Sequence, residues 1–554
     1  MSDFYQTPPK LTNTYQSSRW LKSYLSWRLP KQHQAEAHAE LSKLGEAMAG
    51  PVLALGRQAE REKPVHIPFD PWGKRIDDIR VSQAWDELKD FSATSGMVNE
   101  GYACRFGSHS RVYQFAKLFL FHPSSAFFTC PLAMADGAAR VLEVYGASDA
   151  RLKDAFQHLT SKDPKQFWTS GQWMTERTGG SDVSGTSTIA RKNGDHYLLS
   201  GVKWFSSATT SEMSLALARI EGAPEGSRGL TLFYIPLRHP DGSLNGIEVL
   251  RLKDKLGTWA LPTAELKLQN TKAYPVGELQ QGVKTVATML NITRGYNSVC
   301  SIGQMARGLE LLAAYGRERK AFGKPLNDQP LFISTLLNEE LIYLASFLLT
   351  FRTAELLGHD ETKQASEIEM DLLRLFTPIT KLFTAKAAVR VASETVEGFG
   401  GAGYIEDTGI PVLLRDAQVF SIWEGATNVL SLDLLRVLEK TSALASFFKE
   451  TERILKLGEA KEAASAKELR TRVEQLQKLA TSAKPAELLA SSKALAFHLA
   501  QLYAGLLMLE WAASDASQQP RLSLALKHWL KQFSAFELVP STLETDARQF
   551  FGDL

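Results

Sequence analysis

Hydrophobic spacing divides the 554-residue chain into stretches of different period. From Gln34 to Ala59 apolar residues recur at helical spacing, with a break near Gly50-Pro51. Lys63 to Asp78, rich in Pro, Gly and Asp, reads as a loop. Helical spacing resumes at Ser82 and runs to about Ser161, with turns at His122-Pro123 and Gly146. Between Gly171 and Pro275 the period falls to two. His196–Phe205, Gly229–Ile235 and Ala264–Leu268 read as strands, and Asn193-Gly194, Asp241-Gly242 and Asn245-Gly246 as their turns. After Gly277 helices return. One ends before Gly323-Lys324-Pro325, a second spans Leu331–Gly358, a third Ser366–Glu397 with a kink at Pro378, and a fourth Arg415–Glu439. Four long helices with short links predict an antiparallel bundle. Beyond Thr441 the chain stays helical, and Pro485 and Gln518-Gln519-Pro520 punctuate it.

The predicted class is therefore α+β and multidomain. An arm (1–32) precedes a helical domain (33–170), a β barrel or sandwich (171–276), a four-helix bundle (277–440) and a helical C-terminal extension (441–554). Short strands with hairpin turns argue against a βαβ unit.

Composition narrows the function classes. Apolar residues make up 44% and charged residues 22%, an ordinary globular balance, and the net charge of +2 points to no acidic partner. Cys104, Cys130 and Cys300 are few and far apart, which fits reduced thiols and a cytoplasmic setting, with the mitochondrial matrix as the alternative. No uninterrupted apolar run of spanning length is present, so no membrane span is expected. The basic, aromatic, Ser-rich stretch Ser17–Arg28 reads as an element docked on the protein's own surface, a transit peptide or an interfacial helix.

The candidate chemistry centres on Ser421-Ile422-Trp423-Glu424-Gly425-Ala426-Thr427-Asn428, where a carboxylate lies between a large ring and a glycine. Water shed by Trp423 would suit a general base; a solvated Glu at a helix start is the plain alternative. Thr175-Glu176-Arg177-Thr178-Gly179-Gly180-Ser181-Asp182 concentrates hydroxyls and N–H groups that suit an anionic ligand or an ordinary turn. Gly398-Phe399-Gly400-Gly401-Ala402-Gly403 fits a dinucleotide fingerprint in letters only. It follows a helix, so its glycines allow close backbone approach to a flat ligand or partner instead. Arg317–Gly323 is either a favoured basic helix end or a pyrophosphate clamp with an adenine ring beside it. Arg294 needs a partner, structural or substrate. No metal-ligand spacing, G-x-S-x-G or Walker motif occurs.

Taken in order, Thr175–Asp182, Lys203-Trp204-Phe205-Ser206, Lys255-Leu256-Gly257, Pro262–Leu266, Arg319–Leu326, Gly400–Tyr404, Arg415-Asp416-Ala417 and Ile422–Gly425 resemble the acyl-CoA dehydrogenase family of flavoproteins. Arg75–Arg80 with Ala84-Trp85 and the extra C-terminal helices resemble its AidB-like, adaptive-response subgroup. The resemblance implies FAD as cofactor and Glu424 as the base that takes the α-proton of an acyl-CoA while the β-hydride moves to flavin N5. The Glu424 N–H and a ribityl hydroxyl would hold the thioester oxygen. Met174, Thr175, Gly180, Ser181, Trp204 and Ser206 would line the flavin. Arg319 and Phe322 would meet the pyrophosphate and adenine across a subunit boundary, and Gly400, Gly401, Gly425 and Asn428 complete the cofactor contacts. Ser181, Asn291 and Arg294 would border the substrate. Glu397, Ala426, Trp173, Trp259 and Leu261 depart from the family's usual residues.

The partners so implied are an acyl-CoA, a second copy of the chain in a dimer or tetramer, and an electron-transfer flavoprotein. Two other functions stay open: an AidB-like DNA-binding protein of the alkylation response with weak dehydrogenase activity, and an acyl-CoA-binding sensor. From Thr441 onward 14 Lys/Arg face 13 Asp/Glu, so the extension carries no net basic field for DNA, although Lys467, Arg470 and Arg472 stand close together.

Overall fold

The computed structural model describes residues 5–532, 536–540 and 542–552. The arm docks on the protein itself. Its helix α1 (Leu21–Arg28) buries Leu21, Tyr24 and Leu25. Trp20 donates Nε1–H to Glu340 at 2.9 Å and Tyr24 donates to Glu355 at 2.8 Å. Helices α2 (Lys31–Ala49) and α3 (Pro51–Arg61) follow, split where Pro51 opens α3 with a preset φ.

The predicted loop at 63–78 is a two-stranded antiparallel hairpin, β1 (Val65–Phe69) with β2 (Arg75–Arg80). Its turn is built by the Asp70 carboxylate, which accepts from the N–H groups of Trp72 and Lys74 at 2.9 Å each. Strands this short carry too few alternations to be read amid Pro and Asp. Helices α4 (Gln83–Thr94), α5 (Ser110–Phe121), α6 (Thr129–Tyr145) and α7 (Ala150–Leu159) complete the helical region, with Ser82 and Asp149 capping α4 and α7.

The seven strands that follow are β3 (Ser170–Trp173), β4 (Ile189–Asn193), β5 (His196–Ser207), β6 (Met213–Ile220), β7 (Leu230–Pro236), β8 (Ile247–Leu252) and β9 (Thr263–Val276). Neighbours run β6-β4-β5-β9-β7, and β7 pairs back onto β6, so the sheet closes into a barrel with β3 and β8 attached. Trp173, Leu199, Phe233, Ile235 and Leu266 fill its own core. A second, continuous core joins the arm, the N-terminal helices, the bundle and the extension.

The bundle comprises α8 (Gly282–Glu318), the small hairpin β10 (Lys320–Ala321) and β11 (Lys324–Pro325), α9 (Pro330–Glu361) and α10 (Glu367–Gly398), which carries Pro378 inside it and a capping box from Ser366 and Glu369. The predicted fourth helix is two: α11 (Pro411–Phe420) and α12 (Thr427–Lys440), interrupted at Ser421–Ala426. The extension holds α13 (Ala443–Glu459), α14 (Ala463–Ser482), α15 (Pro485–Ser514), α16 (Gln519–Trp529) and α17 (Leu543–Phe551). Helices α9 and α15 are long and apolar enough to cross a membrane by length and composition, which qualifies the expectation of no such stretch; 50% and 83% of their most apolar windows lie inside the protein.

Candidate active site

Glu424 stands on the interruption between α11 and α12. Its φ is 58° and that of Gly425 is 104°, so two consecutive residues take the left-handed region. For a residue with a side chain that conformation costs about 1–3 kcal/mol and persists only where the surroundings impose it. Here they do. Three turn carbonyls are each taken by a side chain from a neighbouring helix: Phe420 by Asn297 Nδ2 at 3.2 Å, Glu424 by Arg294 Nε at 3.3 Å and Gly425 by Lys381 Nζ at 2.6 Å. Arg294 also pairs with Asp433 at 2.8 Å and so ties α8 to α12. Trp423 meets Phe127 edge-on with ring centres 5.8 Å apart. On the half-buried Glu424, Oε2 accepts from Thr293 Oγ1 at 2.5 Å. Among the described residues its backbone N–H meets no acceptor.

Thr293, Arg294 and Asn297 are one face of α8, spaced i, i+1 and i+4. Arg294 thus has a structural partner, while Asn291 is exposed. The barrel touches the same region through the segment between β8 and β9. Thr258 N–H donates to the Asp416 carboxylate at 2.7 Å, and a Cβ on Gly257 would come within 2.8 Å of the Arg415 carbonyl oxygen, so only glycine fits there. Burial and the facing Asp416 push Glu60 up to about 8, against the pull of Arg415 and Lys255. Burial likewise pushes Asp416 up to about 6. Trp259 is held between Lys63 and Arg415, whose charged groups sit 3.5 and 3.9 Å from its ring centre. Its departure from the family pattern is thereby absorbed by two cations.

A second group gathers on the barrel rim. Trp204 N–H donates to the Thr175 carbonyl at 2.9 Å, joining the segment after β3 to β5. A Cβ on Gly180 would lie 2.5 Å from Thr175 Oγ1, so the turn at 176–180 closes tightly over Thr175. Glu176 anchors that turn from inside, pairing with Lys203 at 2.7 Å and accepting from Ser187 and Thr188. Burial opposes its charge, but Lys203 and the two hydroxyls hold its carboxyl down at about 2. Met174 and Trp204 are half-buried, Lys253 Nζ stands 3.5 Å from the Trp204 ring centre, and Ser181 is exposed. Ser206 is fully buried, and among the described residues its Oγ has no partner. An unpaired buried hydroxyl beside a half-covered indole fits a polar, planar ligand, as a flavin requires.

A third group lies at one end of the bundle. Tyr315 of α8 stacks on Phe399 after α10, ring centres 4.5 Å apart, in a small apolar cluster of its own. From that cluster spring both the β10–β11 hairpin, with Phe322 96% exposed at its tip after Arg319, and the glycine segment with Tyr404 88% exposed. Nothing lies within 4 Å of a Cβ placed on Gly400 or Gly401. Asn428 is exposed in the first turn of α12. The predicted residues thus fall into three sets, around Glu424, around Ser206 and around Phe322. Sequence reasoning missed Thr293, Lys381 and Asp433 as parts of the first. Only Lys381 left a signal, a cation in the largely apolar run from Leu375 to Phe383.

The comparisons with known proteins agree along the chain. Residues 171–271 match the acyl-CoA dehydrogenase middle domain and 280–439 its C-terminal domain. Residues 6–163 match the adaptive response protein AidB N-terminal domain, and 442–550 the acyl-CoA dehydrogenase 11 C-terminal domain-like family. Acyl-CoA dehydrogenase family member 11 of Caenorhabditis elegans is 42% identical over 96% of this chain and 89% of its own length. The putative acyl-CoA dehydrogenase AidB of Escherichia coli K12 is 33% identical over 72% of this chain and 73% of its own. The crystal structure of C. elegans ACDH-11 in complex with C11-CoA superposes with a TM-score of 0.97 at 39% identity, covering 100% of this chain and 98% of that one. The chain accordingly belongs to the acyl-CoA dehydrogenase family of FAD-dependent oxidoreductases, in its AidB-like branch.

Proposed function

We propose that the protein α,β-dehydrogenates an acyl-CoA thioester with Glu424 as general base. The observation that carries this is the turn itself: a strained carboxylate-bearing residue held from α8 and α10, with its own N–H left without an acceptor among the described residues. In this reading the Glu424 carboxylate leaves Thr293 to take the α-proton, and the Glu424 N–H meets the thioester oxygen as negative charge develops there. Arg294 keeps the turn against α12 and, with Asn291 and Ser181, borders the thioester. FAD, when bound, supplies the acceptor for the β-hydride. Met174, Thr175, Gly180, Ser181, Trp204 and Ser206 would hold its ring system, and Gly425 and Asn428 would lie beside it. Arg319, Phe322, Gly400 and Gly401 would take the rest of the cofactor between two copies of the chain, which gives Phe322 and Tyr404 a partner and makes at least a dimer the working unit. The C11-CoA of the worm relative suggests an acyl chain of similar length as substrate. An electron-transfer flavoprotein would be the acceptor and the cytoplasm the compartment, and fractionation would separate that from the mitochondrial matrix. DNA binding finds no footing in the extension, where Arg470 pairs with Glu452 and Glu459 and Arg472 with Glu468.

The test is anaerobic. The purified flavoprotein is mixed with acyl-CoAs of graded length and branching, and loss of the oxidised flavin band is followed, with Glu424→Gln beside it. Bleaching by one class of thioester, abolished in the variant, is the expected result. Tight binding of every acyl-CoA without bleaching would leave a sensor instead.

A further inference from the structure

The stretch of α10 from Leu372 to Phe383 is buried on almost every side, yet Lys381 stands within it at 1% exposure. A buried ammonium is costly unless a charge or several acceptors meet it. Among the described residues Lys381 makes one hydrogen bond, Nζ–H to the Gly425 carbonyl at 2.6 Å, and no ion pair. Three charged groups act on it: Glu424 on the turn favours its charge, and Arg294 on α8 and Lys386 on α10 disfavour it. Arg294 is itself paired with Asp433 on α12. The carboxylate that supports this ammonium is therefore the proposed base, and the carbonyl it grips belongs to the next residue.

We propose that Lys381 is the positioning residue of the Glu424 turn: its buried ammonium holds the Gly425 carbonyl from below and keeps both left-handed residues in place. Arg294, Asn297 and Thr293 hold the turn from the α8 side, and of these four Lys381 alone grips the Gly425 carbonyl. Ala426, the N-cap of α12, offers no side-chain cap, and Gly425 adds no packing of its own. A methionine of similar length at 381 would fill the same space without the charge. It would, however, leave the Gly425 carbonyl without this donor, so the lysine serves the turn and, through it, the aim of the base.

Burial holds the Lys381 ammonium down to about 7. Its charge is present below that pH and is lost as pH rises through it, so the grip on the turn weakens on the alkaline side. The inference rests on the base reading of Glu424, and its test separates the two. Exchange of the thioester α-hydrogens into deuterated water reports the base step without needing an electron acceptor. Amide hydrogen exchange of the peptide covering residues 419–430 reports the turn itself, with or without turnover. Both are measured from pH 5.5 to 9 on the flavin-loaded wild type, Lys381→Met and Lys381→Arg, together with acyl-CoA affinity and thermal stability.

Lys381→Met is expected to slow α-hydrogen exchange about 100-fold, the cost of a base displaced by roughly an ångström. It should also abolish the alkaline limb and speed exchange of the turn peptide, while the protein melts no lower than the wild type because an unpaired buried charge is gone. Lys381→Arg should restore the turn's protection and move the alkaline limb upward. A folded Lys381→Met protein with wild-type turn protection and a wild-type pH profile would overturn the proposal. If the wild type exchanges no α-hydrogen at all, the base reading of Glu424 fails, and the turn peptide still decides the role of Lys381.

Discussion

Two regions of the molecule treat charge in opposite ways. Where the arm meets the extension, three arginines and three glutamates alternate in a closed ring: Arg28 with Glu355 and Glu510, Arg352 with Glu355 and Glu450, Arg453 with Glu450 and Glu510, at 2.6–3.5 Å. The ring ties α1, α9, α13 and α15 together. Trp27 lies flat on Trp511 beside it, ring centres 5.3 Å apart and planes within 5°. Around Glu424 and the barrel rim the pairing is left open instead. Lys381 has a carbonyl but no carboxylate, Ser206 has no partner, and Phe322 stands in solvent. The seam spends its polar groups on holding the chain, and the site withholds its own for ligands. Stability and chemistry are thus kept on different sets of residues.

That contrast breaks most visibly at Glu424. Replacing it with Gln should lower the rate of flavin reduction by acyl-CoA by about 10²–10⁴-fold, the range lost with a general base, while leaving the melting temperature where it was. Rapid-mixing spectroscopy and a thermal melt read the two effects separately. At the seam the reverse is expected. Glu355→Gln takes away the charge that Arg28 and Arg352 share and leaves them only Glu510 and Glu450, so denaturant titration should show a loss of up to about 3–5 kcal/mol. Flavin reduction per folded molecule should stay unchanged. A seam variant that slowed reduction in fully folded protein would merge the two regions into one.

Smaller effects sharpen the picture. Ser206→Ala removes a buried hydroxyl that no residue satisfies, so the apoprotein should be as stable as the wild type or slightly more so. FAD should bind about tenfold more weakly, the worth of one hydrogen bond of roughly 1.4 kcal/mol. Fluorescence titration of the apoprotein reads this directly. The smallest effect concerns Glu60 and Asp416, both held above their ordinary values by burial. The folded state therefore binds more protons than the unfolded one, and their contribution is fully present below the ordinary carboxylate range of about 4–4.5. It is lost as pH rises through about 6 and about 8. Melting temperature should fall over that window, and Glu60→Gln should flatten the fall.

Much of this was legible in the sequence because it is local. Apolar spacing announced the long bundle helices, the Pro residues at 51, 485 and 520 opened helices, and the loss of 3.6-residue spacing after Gly171 announced the barrel. What stayed hidden is long-range or too short. The strands at 65–69 and 75–80 hold too few alternations to separate from a loop. The break at Ser421–Ala426 has no proline, and its left-handed Glu424 is imposed by Arg294, Asn297 and Lys381, which lie 130, 123 and 44 residues away from their acceptors along the chain. The ion-pair ring joins residues up to 482 positions apart, and no spacing rule reaches that far. The family motifs singled out Glu424 and the rim residues as candidates for the site. The groups that brace the turn carry no motif of their own.

The central claim is that the Glu424 carboxylate removes the α-proton. The most direct measurement compares anaerobic flavin reduction by an acyl-CoA carrying deuterium at the α-carbon with reduction by the unlabelled thioester, in the wild type and in Glu424→Gln. A several-fold slowing by the label in the wild type, with no reduction in the variant, is the predicted result. Reduction at an undiminished rate in Glu424→Gln, with the same isotope effect as the wild type, would contradict the account and assign the base elsewhere.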